Sequence, residues 1–394
     1  MLYQHSPAPG LIILFGSGET SPAGRKIFEK VFRSLRPSPR LALLETPAGF
    51  ELNSHQVISR VGDFFTHRLQ NFTPRVEIIP ARKRGTEFSP DDPAIVAPML
   101  KADLIFMGPG SPSYAVRQLQ DSLAWYYLIA RHHLGAVLAL ASAATVAFSA
   151  CALPIYEIYK AGEDIHWIAG LDFFKQYGLQ LIFIPHWNNN EGGTELDTSR
   201  CFMGQERFHQ LMDMLPENMI IIGLDENTAL IMDLSAGKCQ VKGLGKVTIL
   251  HTGHKHRRVG QPYTPAGTTV KIIGDNEDTK LIFPHPDDHI QQYGDGQDFP
   301  MQELGPFHPF QPESNLPPAI WQKAFEANCP SELQSTEEPP EELQILVRAR
   351  QEARRSGNWA LADKLRTQIE ALGWQVLDTM DGPVCLKLEK NKTA

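Results

Sequence analysis

Three side chains in this sequence stand just past short apolar runs and could together carry out covalent acyl transfer. Ser142 follows AVLALA, His186 follows LIFIP and Glu226 follows MIIIG, with Asp225 beside Glu226 and Glu157 a little beyond the serine as alternative carboxylates. A serine, a histidine and a carboxylate are a nucleophile, its base and the group that orients the base, at any separation along the chain. Ser142 would attack a carbonyl and His186 would take its proton. The oxyanion that develops needs N–H donors. The turn Gly108-Pro109-Gly110-Ser111 after LIFMG offers Gly110, and the residue after the serine offers Ala143. Glu19, in GSGETS after LIILF, is expected to close the substrate pocket. Arg200 and Arg207, read as lying on the helix after His186, are expected to hold a substrate carboxylate through paired donors.

Other chemistries fit less well. GSGETS lacks the third glycine of a dinucleotide fingerprint, so no cofactor is expected. His251, His254 and His256 have no indicated fourth ligand and adjoin Arg257 and Arg258, so no metal is expected either. Cys151, Cys201, Cys239, Cys329 and Cys385 are widely spaced with no CxxC pair, which fits a reduced, cytoplasmic setting. The start MLYQHSPAPG has neither the basic flank nor the apolar core of an export signal. Residues 134–156 are uncharged and long enough to span a bilayer. They are rich in Ala and Ser and contain Pro154, and read instead as a buried strand running into a buried helix, with no membrane contact.

The elements that must position these groups alternate. LIILF, LALLE, VEIIP, LIFMG, AVLAL, LIFIP and MIIIG are candidate buried strands. Between them, residues 24–35, 55–69 and 200–215 have helical patterning. Strands apolar on both faces with helices between them predict an open α/β fold whose mostly parallel sheet is flanked by helices. TALIMD, VKGLGKVTIL and TTVKIIG follow without intervening helices, and antiparallel strands are expected to finish the domain near Gly274. Ligands of such sheets bind past the carboxyl ends of the strands, where the candidate residues stand.

The net charge of -8 is unevenly spread. Residues 1–283 carry 27 basic and 27 acidic side chains, residues 284–342 carry 1 and 12, and residues 343–394 carry 9 and 6. The middle stretch also holds 11 of the 30 prolines. We therefore expect an α/β domain over 1–283, an acidic, proline-rich, partly extended linker over 284–340 and a small helical module over 341–394. In that module, residues 341–355 and 359–372 read as two helices joined by Ser356-Gly357-Asn358. Asn358 is the expected N-cap, Leu361, Leu365, Ile369 and Leu372 share one face, and a terminal hairpin turns near Asp381-Gly382.

The segments ADLIFMGPGSPSYAVRQL, GAVLALASAATVAF and IIIGLDENTAL resemble the serine peptidase family of cyanophycinase and dipeptidase E, across about residues 10–275. That family has the fold of class I glutamine amidotransferases with serine at the nucleophile turn. The resemblance implies Ser142 as nucleophile, His186 as base, Glu226 as third member and Gly110 and Ala143 as oxyanion donors. It also implies a small peptide or amide substrate, and a homodimer is compatible with it. This chain departs from the pattern at the turn, where Leu140 and Ala144 replace the family's two glycines and Ala141 its threonine.

ILVRARQEARRSGNWALADKLRTQIEALGWQVLDTMDGP resembles the C-terminal end of bacterial cysteinyl-tRNA synthetase. The chain has no HIGH or KMSKS signature, so no synthetase chemistry follows. The resemblance implies a tRNA contact, for which Arg350, Arg354 and Arg355 are the expected residues. A serine hydrolase is thus the first functional expectation. An inert amidotransferase-like binding protein with a tail for tRNA or a translation factor is the second.

Overall fold

The structure is a computed structural model that describes residues 8–216, 219–251, 289–307, 316–328, 340–356, 358–379 and 382–387. At its centre lie five parallel strands, β1 (Ile12–Phe15), β2 (Arg40–Leu44), β3 (Arg75–Ile79), β4 (Leu104–Met107) and β5 (Val137–Ala141). A short ribbon of β6 (Cys151–Ala152) and β7 (Ile168–Ala169) comes next. It is followed by β8 (Leu181–Ile184), β9 (Ile220–Leu224), β10 (Thr228–Asp233), β11 (Lys238–Gly243), β12 (Lys246–His251), β13 (His289–Gly294) and β14 (Asp298–Pro300). The larger sheet has the order β14-β11-β10-β1-β5-β4-β2-β3, and a second sheet has the order β13-β12-β9-β8. The antiparallel strands β10, β11 and β14 complete the first sheet, and β12 and β13 complete the second.

Apart from β3, which lies at the edge of the sheet and buries only Ile79, the apolar runs are buried because successive side chains alternate between two covered faces. Ile12, Leu14, Leu138 and Leu140 enter one core, while Ile13, Phe15, Val137 and Ala139 enter the other. The helix Pro22–Phe32, capped by Ser21, and the helix Ser54–Arg68 cover the second core, with the rings of Phe28 and Phe65 4.8 Å apart. Residues 134–156 form β5, a sharp turn, the short helix Ala143–Ala147 and β6. Among the described residues no helix is long and apolar enough to cross a membrane.

Of the expected linker over 284–340, the described residues 289–307 and 316–328 are folded onto the body. β13 and β14 extend the two sheets, and the helix Pro318–Glu326 packs on the helix Leu123–His133. Phe299, Met301, Leu304, Phe307, Leu316, Ile320 and Ala324 all enter the main core. The prolines and acids that read as a spacer are thus interleaved with enough apolar surface to hold the segment down. TTVKIIG, His254 and His256 lie outside the described residues.

The C-terminal module has the expected helices, Glu341–Arg355 and Trp359–Ala371, followed by the hairpin of β15 (Trp374–Thr379) and β16 (Gly382–Lys387). Asn358 caps the second helix by accepting from Leu361 N–H at 3.2 Å. The core is small: Leu343, Val347, Ile369, Trp374 and Val376. Of the expected apolar face only Ile369 is buried, while Leu361 is 43% and Leu372 47% exposed.

Candidate active site

Phe15, Leu44, Met107 and Ala141 end parallel strands at the same edge of the sheet, so the loops that follow them converge. Ser142 is the first residue past β5 and takes φ 51° and ψ -113°, a backbone state that costs a non-glycine residue roughly 1–3 kcal/mol. The turn is pinned by Thr145, whose hydroxyl donates to Leu140 O at 3.0 Å and Phe15 O at 3.2 Å. Leu140 and Ala144, the departures from the glycine pattern, are both fully buried in one core cluster and leave the turn intact.

Ser142 Oγ lies 2.9 Å from His186 Nε2, and His186 Nδ1 lies 2.9 Å from Glu226 Oε1. A carboxylate at Nδ1 requires the N–H there, which leaves the Nε2 lone pair for the serine hydroxyl. Glu226 is itself held. Its N–H donates to Asn188 Oδ1 at 2.8 Å, and Asn189 Nδ2 donates to Glu226 Oε1 at 2.9 Å. Burial pushes the Glu226 carboxyl up, but hydrogen bonds from His186 and Asn189 and the charge of His186 outweigh it and hold the group below its ordinary value. The two alternative carboxylates face elsewhere. Asp225 accepts from Lys246 N–H at 2.8 Å, and Glu157 accepts from the Ser113 hydroxyl.

Gly110 has φ 145°, and a Cβ there would fall 2.0 Å from Pro47 O, so only glycine fits. The loop is fastened by Ser111 N–H to Pro47 O at 2.9 Å and by Ala144 N–H to Gly108 O at 3.4 Å. Two residues before Pro47, Glu45 is a buried carboxylate paired with Arg82 and, at 3.0 Å, with His55. Among the described residues neither Gly110 N–H nor Ala143 N–H is taken up by a backbone carbonyl in a turn, loop or cap.

Glu19 is half-buried. Burial raises its carboxyl pKa, against the lowering effects of its own backbone N–H and of the charge on His186. Its loop is tied to the base by His186 N–H to Gly16 O at 3.2 Å and to the Glu226 turn by Asn227 N–H to Ser17 Oγ at 3.3 Å. No Lys or Arg forms an ion pair with Glu19 among the described residues.

Of the two arginines, only Arg207 lies on the helix expected to carry both. The helix after His186 is Gly204–Asp213, four residues shorter at its start than the pattern predicts. Arg200, Cys201 and Phe202 precede it with φ of 57°, 58° and 67°, nearly a full left-handed turn, at roughly 1–2 kcal/mol per residue. Arg200 stacks its guanidinium 3.8 Å from the Trp187 ring and donates to Trp187 O at 2.9 Å. Arg207 donates to Met203 O at 2.7 Å and Phe202 O at 3.0 Å. Both thus donate to backbone carbonyls of the segment between His186 and the helix. The turn they hold sets the Phe202 ring 5.7 Å from the His186 ring and donates Cys201 N–H to His186 O at 3.2 Å. Phe202, Asn188 and Asn189 are site residues that sequence reasoning missed, and the run Asn188-Asn189-Asn190 was the available signal for two of them. Among the described residues no group of three His, Cys, Asp or Glu side chains could hold a metal.

In the C-terminal module Arg350, one of the residues expected to meet tRNA, is only 6% exposed. Burial, with the charges of Arg350 and Arg366, lowers Arg354 to about 10. Arg355 is exposed, together with Arg348 and Lys364.

Residues 336–382 match the family described as the cysteinyl-tRNA ligase anticodon binding domain. The cysteine–tRNA ligase of Chlamydia felis (strain Fe/C-56) is 44% identical over 54 residues, which are 14% of this chain and 11% of that one. This chain therefore spans only a small part of that ligase. Among solved structures, a peptidase from an acI-B1 Actinobacterium superposes with a TM-score of 0.54 at 20% identity, over 76% of this chain and all of that one. A peptidase E-like protein from Listeria monocytogenes EGD-e gives 0.42 at 15% identity, over 60% of this chain and all of its own. The body thus shares the α/β fold of the actinobacterial peptidase, and the tail resembles the anticodon-binding domain.

Proposed function

We propose that the chain is a serine hydrolase that cleaves a peptide or amide bond through an acyl-enzyme at Ser142. The observation that carries this reading is the Ser142–His186–Glu226 chain of two 2.9 Å contacts beginning at a strained turn. Ser142 attacks the carbonyl while His186 Nε2 takes its proton, and Glu226, kept ionised, stabilises the imidazolium. Gly110 and Ala143 N–H groups receive the oxyanion, an interaction worth about 3–4 kcal/mol per donor in comparable sites. His186 then returns the proton to the leaving amine, and water completes the cycle by the same route. The fold shared with the peptidase structure agrees with this reading. A fluorophosphonate probe should label the wild type and spare Ser142→Ala; equal labelling of both would end the assignment.

For the tail, the likeness to an anticodon-binding domain supports a tRNA contact, made through the exposed Arg348, Arg355 and Lys364. Binding of tRNA should weaken with salt, and replacing each cation should reduce the slope of log affinity against log salt by about one. A slope unchanged by all three replacements would remove the contact.

A further inference from the structure

The two ends of the molecule, a site built for acyl transfer and a tail built like a tRNA-binding domain, have one class of molecule in common. We propose that Ser142 takes its acyl group from an aminoacyl-tRNA, cutting the ester between the amino-acid carbonyl and the ribose of the tRNA 3′ end. This rests on the serine-hydrolase reading and narrows its substrate. The Ser142 Oγ–carbonyl bond forms and the ester C–O bond breaks. The hydroxyl proton passes through His186 to the departing ribose oxygen. Water then attacks the acyl-enzyme, giving its proton through His186 to Ser142 Oγ. The products are a free amino acid and a tRNA with a free 3′-terminal hydroxyl, and nothing but water is consumed.

The route of the chain suits such a substrate. Asn328 is fastened by its side-chain amide to Leu100 O at 2.7 Å and Ala324 O at 2.6 Å. Leu100 lies just before β4, whose other end leads to Gly110. The chain therefore leaves the body from the pole opposite Ser142, and the residues between Asn328 and Glu341 can add at most about 45 Å. A tail that departs there can grip a ligand far from the catalytic serine. An anticodon and the acylated 3′ end are likewise the two extremes of a tRNA.

Charge is divided to match. Residues 1–328 carry 28 basic and 34 acidic side chains, and residues 329–342 carry five acidic and no basic ones. Neither has a net positive charge, so we assign RNA affinity to the tail, with nine basic against six acidic side chains. Within the site, Glu19 is a half-buried carboxylate beside His186 with no Lys or Arg ion pair among the described residues. It offers the α-ammonium of an aminoacyl ester a partner that an N-blocked acyl group could not use.

The test uses the full-length protein and bulk tRNA charged with radiolabelled amino acids. Wild type should release label well above the spontaneous rate, and Ser142→Ala should not. The triple variant Arg348→Glu, Arg355→Glu, Lys364→Glu should release it at least about tenfold more slowly at low substrate, while fluorophosphonate labelling of Ser142 is unchanged. Glu19→Gln should slow release from aminoacyl-tRNA about tenfold more than release from N-acetylaminoacyl-tRNA. A labelled Ser142 with no release, or release indifferent to the tail charges, overturns this inference and leaves the hydrolase reading standing. Equal effects of Glu19→Gln on both tRNA forms overturn the aminoacyl assignment. Absence of Ser142 labelling instead brings down the hydrolase reading itself.

Discussion

The α/β body and the C-terminal module hold their functional groups in opposite ways. The body places Ser142, His186 and Phe202 at positive φ, each outside the states that L-residues favour, and keeps them there with a large double-sided core. Among its described residues, the module has a core cluster of five buried residues, and it presents exposed cations on ordinary helices. Strain can be stored only where surrounding packing over-determines the backbone, so geometry-dependent chemistry belongs to the body. A charged face needs only a helix pair to hold it, and a small core suffices for that. Substitutions in the body should therefore change rate, and those in the module should change binding or local stability.

The largest effect is expected from Glu226→Gln. An amide that presents N–H to Nδ1 reverses the imidazole tautomer, and turnover should fall by on the order of 10³ to 10⁴ in steady-state kinetics. The acid limb tests the same contact. The folded Glu226 carboxyl sits below its ordinary value, so the stability it gives is complete above the unfolded carboxylate pKa. That stability is lost as pH falls through the depressed folded value, and pH-dependent melting of wild type against Glu226→Gln should show the difference there. Gly110→Ala comes next. Its Cβ must displace the Pro47 carbonyl and with it the oxyanion donor, so kcat should fall roughly 10²- to 10³-fold.

Arg207→Met is expected to lower kcat by about tenfold with KM little changed, because the left-handed turn loosens behind Phe202 and His186 loses its aim. Arg207→Lys, which keeps a donor for the carbonyls, should recover part of the loss. If KM rises instead, Arg207 meets substrate and the comparison between aimed and merely charged groups fails. Smallest in rate is Val347→Ala in the module core. It should lower local stability by about 1–3 kcal/mol, seen by hydrogen exchange in residues 341–387, with Ser142 labelling unaffected.

Much of the site was legible because each strand of a parallel sheet announces itself as an apolar run and delivers its next residue to one edge. Ser142, His186, Glu226 and Gly110 were all found that way. Arg200 was misplaced because no Gly or Asn lies within the Arg200–Phe202 turn, and the helical spacing of residues 200–215 continues through it unbroken. In the second helix of the module, the period was right and its phase was wrong. Ala362 and Ile369 face inward while Leu361 and Leu372 do not, since a core this small covers only a narrow stripe. Segment 284–328 misled for a compositional reason, its prolines and acids outnumbering the few large apolar residues that dock it.

That docked segment bears on how the chain can be divided. β13 lies along β12 and β14 along β11, so a polypeptide ending at residue 283 would leave both neighbours with unpaired N–H and C=O groups and the core without Phe299, Met301 and Ile320. Open strand edges beside uncovered apolar surface invite pairing between molecules. A fragment cut at the compositional boundary should precipitate, whereas one cut beyond Asn328 keeps β14 on β11, β13 on β12 and the core covered.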